Sequence, residues 1–258
     1  MGRTHSKHGR LYVGGYELSA YVLQVGPLVN EWEFDEEATL TSNVMAVLGG
    51  LGRGMPRFGE VNGVFDDTAT HGLHALHSAP GSSHVVTYAQ GIGAAPAQGD
   101  PVFCGQWTQT AYMPDPNKAG AVGARIVFGA PPSDGALLDY GRSWGVLLHP
   151  NSAITGANSD PGVDDYGAAT SAGGFGVLHI LDGDGTATIS IEAAATNTDT
   201  AFDNAGALLT FDTTDMTTPA AEIKTLATNA TVERYLRWQV TLGSATTLTA
   251  VIAFVRGL

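Results

Sequence analysis

Three histidines at intervals of three residues are the first side chains in this sequence that could do chemistry. His71, His74 and His77 follow the pair Asp66-Asp67 in a segment with leucine and alanine at helical spacing. Imidazole nitrogens are common zinc ligands. On a helix, however, a row at i, i+3 and i+6 drifts around the axis, and no carboxylate is placed to complete a ligand set. We therefore expect packing or exposed histidines here, and no metal site.

A second candidate is the run Asp182-Gly183-Asp184-Gly185, which looks like part of a calcium loop. Its spacing lacks the third ligand and the terminal bidentate glutamate of an EF-hand. Asp-Gly is a strong hairpin signal, so the run predicts a turn that pairs Val177–Ile180 with Ala187–Ile191. The alternative is a calcium ion bound by this turn or by nearby carboxylates, those of Asp160, Asp164 and Asp165.

Nothing in the sequence stands out as a catalytic arrangement. We find no Gly-x-Ser-x-Gly elbow, no cysteine with a placed histidine and no distinctive carboxylate pair. The single cysteine, Cys104, excludes a disulfide within the chain and lies in the alternating run Val102–Tyr112, which predicts a buried thiol. We expect a protein that is not an enzyme, with no catalytic residue, metal or cofactor.

The most distinctive pattern is the acidic alternation Asn-Glu-Trp-Glu-Phe-Asp that begins at Asn30. On one strand its two aromatic residues would point one way and its carboxylates, Glu31, Glu33 and Asp35, the other. Like charges on one face repel each other, so the pattern indicates a use for a negative surface. The formal net charge of −13 argues against binding nucleic acid by phosphate neutralisation. The alternative for this strand is an outer face in solvent.

The elements that must position these residues are mainly strands. Abundant Gly, Ala, Thr and Val predict a mostly β protein with one helix near 67–79, and the 258 residues suffice for one large or two ordinary domains. We place a boundary between 1–142 and 143–258, and no apolar run is long enough to span a bilayer. The predicted strands are 10–16, 28–39, 59–65, 84–88, 102–112, 121–128, 144–149, 175–181, 186–193, 207–211, 223–226, 233–242 and 248–255.

A glycine-rich apolar stretch from Ser42 to Glu60 predicts a surface for a partner. It is broken by glycine, yet too apolar to sit comfortably in water. The alternative is an ordinary buried loop. The residues expected to be buried on assembly are Val44, Met45, Val47, Leu48, Leu51, Met55 and Phe58. The basic residues between Arg3 and Arg10 lack the apolar core of a signal peptide and predict a flexible arm that could pair with acidic groups of a neighbour.

Several segments, taken in order, resemble the major tail tube proteins of long-tailed bacteriophages. The run from Arg10 to Val22 resembles the family's opening strand and its Gly-Tyr-Asp-Leu-Ser-x-Tyr turn, with Glu17 where the family usually has aspartate. Further similar segments follow along most of the chain. They are 58–67, ending in Phe-Asp-Asp, 144–149, 173–179, 234–237 and 251–256.

This resemblance implies a barrel-like β-sandwich tail tube domain with a flanking helix, followed by a C-terminal β-sandwich module. It implies hexameric rings of one protein that stack into a tube, contact other tail proteins and conduct genome DNA during ejection. Such a protein would be part of the virion and would assemble in the host cytoplasm. Glu31, Glu33 and Asp35 would line the lumen, where an acidic wall repels phosphates. The stretch from Ser42 to Phe58 would reach a neighbouring subunit.

Two other functions are compatible with the residues. A capsid decoration protein, or another head or tail accessory protein, could use the same β-rich composition and would form monomers or trimers instead of tubes. A carbohydrate-binding module could present Trp144, Tyr166 or Trp238 as a sugar platform. The alternation around Trp238 instead favours a place in the core.

Overall fold

The computed structural model describes residues 6–32, 35–37, 46–48, 54–69, 72–115, 122–129, 143–156, 158–159 and 164–257. Two α-helices lie in this part of the chain, α1 at Leu73–His77 and α2 at Asp199–Ala205, after a 3-10 turn at Ser6–His8. The strands are β1 Gly9–Val13, β2 Tyr16–Glu17, β3 Val22–Val25, β4 Leu28–Trp32, β5 Asp35–Glu37, β6 Ala46–Leu48, β7 Gly54–Phe58, β8 Glu60–Val64, β9 Ser83–Gln90, β10 Pro101–Asp115, β11 Gly123–Phe128, β12 Trp144–Ile154, β13 Asn158–Ser159, β14 Asp164–Asp165, β15 Gly174–Gly183, β16 Ala187–Ala194, β17 Ala207–Thr210, β18 Ala220–Thr225, β19 Tyr235–Leu242 and β20 Leu248–Arg256.

The largest sheet has eleven strands and branches at β10. Its main path runs β18-β15-β20-β12-β10-β11-β8-β3, and β9, β1 and β2 form the branch. β10 can serve both parts because it is 15 residues long. Its first half pairs with β9 and β12, and its second half, from Gln109 onward, pairs with β11.

Eight strands of this sheet, β18-β15-β20-β12-β10-β9-β1-β2, curl into a barrel-like layer. The two ends of this layer, β2 and β18, meet at the turn between β1 and β2. Here Gly15 lies so close to the backbone of Ala220 that a Cβ on residue 15 would clash. Gly15 has a φ of +91°, which glycine adopts readily. Alternate residues fill the interior, which we call the barrel core: Tyr12, Val85, Ala89, Val102, Cys104, Leu147, Phe175, Val177, Val251, Ala253 and Val255.

A second sheet covers the outer face of β12, β15 and β20. It has five strands, in the order β13-β19-β16-β17 with β14 also on β19. Between the two sheets lies the sandwich core, whose largest members include Phe211, Trp238 and Phe254. The strands β15 and β20 are therefore buried on both faces, which explains their nearly continuous apolar sequence. The predicted mostly β, sandwich-like class is confirmed.

The other side of the barrel-like layer packs against β8, β11 and α1. Here Leu11, Val86 and Phe103 meet Val61, Leu73 and Ile126 in what we call the N-terminal core. The two predicted halves of the chain also share a hydrogen-bonded sheet, because Phe103 of β10 is opposite Trp144 of β12. Residues 130–142 lie outside the described part of the chain, and a domain boundary at 142 stays a prediction.

The helix prediction was only partly right. A helix lies within the predicted range 67–79 but spans only Leu73–His77. The backbone N–H of Thr68 donates to Asp66 Oδ1 at 2.7 Å, so the acidic residues form a turn ahead of the helix instead of its first turn. The sequence analysis missed α2, in which Phe202 is the single buried residue and no apolar periodicity is present.

The hairpin predicted at Asp182–Gly185 was wrong. β15 belongs to the eleven-stranded sheet and β16 to the five-stranded sheet, so the turn carries the chain from one layer to the other. Asp184 fixes this crossing, because its Oδ1 accepts the backbone N–H groups of Thr246 and Thr247 at 2.8 and 3.0 Å. The Asp-Gly residues therefore predicted the bend in the chain correctly, but they did not predict which strands pair. Neither helix in the described part of the chain is long and apolar enough to cross a membrane.

Candidate assembly surface

A β-arm contains most of the described residues predicted to act in assembly. In it β4 pairs with β7 and β5 pairs with β6, as two small sheets of two strands each. Leu28 is opposite Phe58 at its base, and Glu37 is opposite Ala46 at the far end of the described ladder. Within the described residues neither ladder joins the two large sheets. We call these four strands the arm.

The structure describes the predicted acidic strand on both sides of residues 33 and 34. Glu31 lies in β4 and Asp35 in β5, while Glu33 lies outside the described residues. From the pair Trp32–Gly54 to the pair Asp35–Leu48, one side advances three residues and the other six. The registers of the two described ladders therefore differ by three residues, and the predicted single acidic face stays a prediction.

The predicted acidic and apolar positions are cross-strand neighbours. The register places Glu31 opposite Met55 and Asp35 opposite Leu48, and Val47 is opposite Glu36. Three predicted interface residues, Val44, Met45 and Leu51, lie outside the described part of the chain. The arm thus brings together at backbone level two sets of residues that the sequence analysis had assigned to different surfaces.

The prediction that Phe58 belongs to the interface is corrected by the structure. Its side chain is only 1% exposed and packs in the N-terminal core of its own chain. The ring centroid lies 5.5 Å from that of Trp107 and 5.4 Å from that of Phe128, the latter edge to face. The Trp107 indole also donates to the carbonyl oxygen of Pro56 at 3.2 Å. These contacts make Phe58 the anchor of the arm and leave it no surface for a neighbour.

Charged groups near the N-terminal segment and the arm base are paired within the chain. Arg10 Nε lies 3.4 Å from Glu17 Oε1 across β1 and β2, and Arg125 Nη1 lies 3.1 Å from Glu60 Oε2. The N-terminal segment that was predicted to be flexible is described from residue 6 onward. There it forms the 3-10 turn and the start of β1. Both ion pairs are partly exposed, so each contributes little to stability.

The histidine run does not converge on one site. His71 lies outside the described residues, and His74 Nδ1 is 3.1 Å from the Tyr112 hydroxyl with its ring 4.5 Å from that of Phe65. His77 points into the protein and is 2% exposed. In the described ranges, no group of three or more His, Cys, Asp or Glu residues is arranged to hold a metal ion.

Two of the carboxylates considered for calcium, those of Asp165 and Asp184, have partners in the protein. Arg234 donates to both oxygens of Asp165, at 2.6 and 2.7 Å, and Gly167 N–H adds a third bond. The Arg234 and Gly167 hydrogen bonds lower the pKa of Asp165 to about 2. Asp184 holds the 246–247 backbone as described above, and its hydrogen bonds lower its pKa too. Asp164 lies in β14, and Asp160 falls outside the described residues.

Of the aromatic residues considered as a sugar platform, Trp238 packs inside the fold, and Trp144 and Tyr166 are partly buried. Trp238 is 3% exposed and meets the His149 ring edge to face at 4.5 Å. Trp144 packs edge to face against Phe103, and Tyr166 lies beneath the guanidinium of Arg256. The alternation around Trp238 had favoured the core, and this prediction is confirmed.

Sequence reasoning also missed a buried ionic cluster on the five-stranded sheet. Arg237 is 1% exposed, and its Nε donates to Glu192 at 2.6 Å. Its two terminal nitrogens reach Asp199 and Asp203 on α2, at 3.0 and 3.1 Å. The sequence signal for α2 was the pair of residues that flank it. The Thr198 hydroxyl caps the start of the helix by accepting the Ala201 N–H, and Gly206 follows its last residue.

Comparisons with known proteins include a distant structural neighbour. No protein-family profile matches this chain. No curated protein matches it either. Among solved structures, it has a weak likeness to the Dit (gp 19.1) protein of phage SPP1, described as a hub of the adsorption apparatus in phages that infect Gram-positive bacteria. The TM-score is 0.34 and the identity 10%, over 97% of this chain and 99% of that one. A likeness at this level does not establish a shared fold or function.

Proposed function

We propose that this chain is a structural subunit of a bacteriophage tail, the major tail tube protein, and that it forms rings which stack around a channel for genome DNA. Each ring would be built by head-to-tail contacts between copies, a heterologous interface that closes. Other tail proteins would bind the ends of the stack. The observation that carries the proposal is the arm.

The arm is a two-stranded segment that contact with a partner would stabilise. A two-stranded hairpin alone in water is marginally stable at best. Among the described residues, the ladders β4–β7 and β5–β6 receive no third strand, although Phe58 fixes their base in the N-terminal core. A rigid base with an unsupported two-stranded extension suits a contact with a second copy, because each copy would supply both the arm and its receiving surface.

The charge of the chain suits passage of DNA without adhesion. With 25 acidic against 12 basic residues, the chain repels a phosphate backbone at neutral pH. Tight non-specific binding would need clustered Lys and Arg that release counterions. In the proposed tube, Glu31 and Asp35 on the arm strands would face the lumen together with Glu33.

The residues that carry the tail tube resemblance have structural roles here. Gly14 and Gly15, with φ of +59° and +91°, turn β1 into β2 next to β18. The similar segments at 144–149, 173–179 and 251–256 include parts of β12, β15 and β20, neighbouring strands of the barrel-like layer. The resemblance therefore lies in segments that build the framework of this fold, and it is independent of the acidic composition.

Sedimentation velocity at rising protein concentration tests the proposal. We expect the purified protein to form large species well beyond a trimer, in a concentration-dependent way. The capsid decoration or accessory alternative instead predicts monomers or trimers at every concentration. Loss of the large species on shortening the arm would tie assembly to these strands.

A further inference from the structure

A cleft of about 470 Å³ opens between β3 and residues 7–11 of the N-terminal segment. Buried Leu11 and half-buried Tyr88 line it. Gly9 makes room for the Tyr88 ring, because a Cβ at residue 9 would clash with the Tyr88 hydroxyl. Arg10 fixes this wall, since its Nη1 donates to the carbonyl oxygens of Gly9 and Lys7 at 3.0 and 3.3 Å. We call this feature the β3 cleft.

The opposite wall of the cleft is apolar and carries an exposed leucine. Leu23 is 61% exposed, and Val22 and Val25 of the same strand also line the cleft. The ladder between β3 and β8 shifts register between Val22 and Gln24, so Leu23 is the extra residue of a β-bulge. A bulge re-aims a side chain and interrupts pairing at the edge of a sheet. The wall therefore offers apolar side chains to a partner.

The lining of the cleft is basic as well as apolar. It includes Lys7 and Arg10 and, among the described residues, no carboxylate. Arg10 Nε also lies 3.4 Å from the carboxylate of Glu17, which is outside the lining, while Lys7 is exposed. In a chain with a net charge of −13 this lining is opposite in sign to the molecule as a whole. Charge complementarity favours an acidic partner.

The arm has the complementary composition. Its strands β4 and β5 carry four acidic residues and no basic one. Successive residues of a strand lie on alternate faces, and cross-strand partners share a face. Glu36 and Val47 therefore lie on one face of the β5–β6 ladder, and Asp35 and Leu48 lie on the other. A face that combines a carboxylate with an apolar residue matches the lining of the cleft.

The arm that fits the cleft belongs to a second copy. The pairs Val25–Val61 and Leu28–Phe58 keep one register, so the β4–β7 ladder prolongs the hairpin of β3 and β8. The arm of the same chain therefore leads away from a cleft that has β3 as its wall. The terminal residues 1–5, outside the described part of the chain, include an arginine and no acidic residue, which does not suit a basic cleft.

We propose that the β3 cleft receives the Glu36–Val47 face of the arm of a second copy. In this contact Glu36 pairs with Lys7, and Val47 packs against Leu23. The inference rests on the proposed function, in which the arm joins copies, and it adds the receiving surface. The contact is heterologous, because two different surfaces meet, and it can close into a ring. Asp35, on the opposite face of the arm, stays available for the lumen.

Site-directed cross-linking of the full-length protein tests this contact. Leu23→Cys and Val47→Cys proteins are mixed at a concentration at which large species form, and a short bismaleimide is added. We expect covalent dimers from the mixture and none from either variant alone, because the native Cys104 is buried. The matched control is a mixture of Ile92→Cys with Val47→Cys. Ile92 is 64% exposed and lies outside the cleft, so this mixture should give no dimer.

Charge reversal tests the proposed ion pair separately. Lys7→Glu should raise the protein concentration at which large species appear in sedimentation velocity by about fivefold or more, because like charges across an interface repel. The further change Glu36→Lys in the same chain should reverse this effect. Lys224→Glu is the matched control, since Lys224 pairs with Asp212 on β18 outside the cleft, and it should assemble as the unaltered protein does.

The possible failures can be told apart. Large species without dimers from the Leu23→Cys and Val47→Cys mixture would place the arm on another surface and overturn this inference, while the proposed function would stand. A cross-link within a dilute monomer that carries both cysteines would show the arm in its own cleft and would overturn it too. If the unaltered protein forms no large species at any concentration, both the proposed function and this inference are wrong.

Discussion

The guanidinium of Arg237 lies on the ring of Phe202, with its Cζ 4.4 Å from the ring centroid. Phe202 is fully buried and is the apolar anchor of α2, while Arg237 belongs to β19 in the sheet below. Buried Glu192 holds the guanidinium on the sheet. Because Arg237 also bonds to Asp199 and Asp203 of α2, one cation fixes the helix through both its charge and its flat face. A short helix with one buried residue is thereby held on the sheet.

Removal of this arginine should destabilise the protein strongly. Arg237→Ala leaves Glu192 buried without its partner, and we expect a loss of about 3–5 kcal/mol in the free energy of unfolding. Asp199→Asn is the matched control, since Asp199 bonds to the same guanidinium but its side chain is 71% exposed, and it should cost less than about 1 kcal/mol. Urea unfolding measures both. Equal losses would contradict the role assigned to burial.

His179 should make the protein lose stability in mild acid. Its side chain is fully buried with Nε2 2.9 Å from Thr87 Oγ1, and burial lowers its pKa from 6.5 to about 3. Below pH 6.5 the unfolded chain takes up a proton that the folded protein does not, so the free energy of unfolding falls as the pH drops towards 3, by up to about 1.4 kcal/mol per pH unit.

Replacement of His179 isolates this effect. In His179→Gln, urea unfolding between pH 6.5 and about 4.5 should show a flatter pH dependence than in the unaltered protein. Part of the pH dependence of the free energy of unfolding remains in both proteins, because the pKa of His77 is also lowered. Parallel curves would show that His179 does not titrate as its burial requires.

Cys104 should be unreactive in the folded protein. The thiol is fully buried in the barrel core, and burial raises its pKa, so the reactive thiolate is scarce. We expect no reaction with Ellman's reagent under native conditions and one thiol per chain in denaturant. Fast labelling of the native protein would contradict the placement of Cys104 inside the barrel-like layer.

An acidic substitution on β6 of the arm should block assembly without unfolding the chain. Val47→Asp adds a charge at a position opposite Glu36, where an apolar contact with a second copy is proposed. The control is Ile92→Asp, at a residue 64% exposed and outside the arm. Sedimentation should show large species for the control only, with equal melting temperatures for the two proteins. Assembly by both variants would remove the arm from the interface.

The sequence located most strands of the two large sheets. The predicted run 102–112 lies within β10, and 233–242 and 248–255 match β19 and β20 within two residues at each end. These strands alternate or are apolar throughout because one or both faces are buried. The pattern cannot show which strands pair, and so the Asp182–Gly185 turn was read as a hairpin although its strands lie in different sheets.

The candidate sites were harder to predict because they depend on contacts between distant residues. Phe58 carries an apolar side chain in a glycine-rich stretch, and only the fold shows that it joins Phe103 and Trp107. The partners of His77 are similarly remote, since Gln109 lies 32 residues further along the chain. Local spacing had instead grouped His77 with His71 and His74.

Electron microscopy of the concentrated protein at near-physiological salt tests the central claim most directly. The account predicts hollow tubes or stacked rings, and a reconstruction should place Glu31, Glu33 and Asp35 on the channel wall. Compact monomers or trimers alone, from protein shown to be folded, would contradict a tail tube subunit that assembles by itself and would favour a decoration or accessory protein.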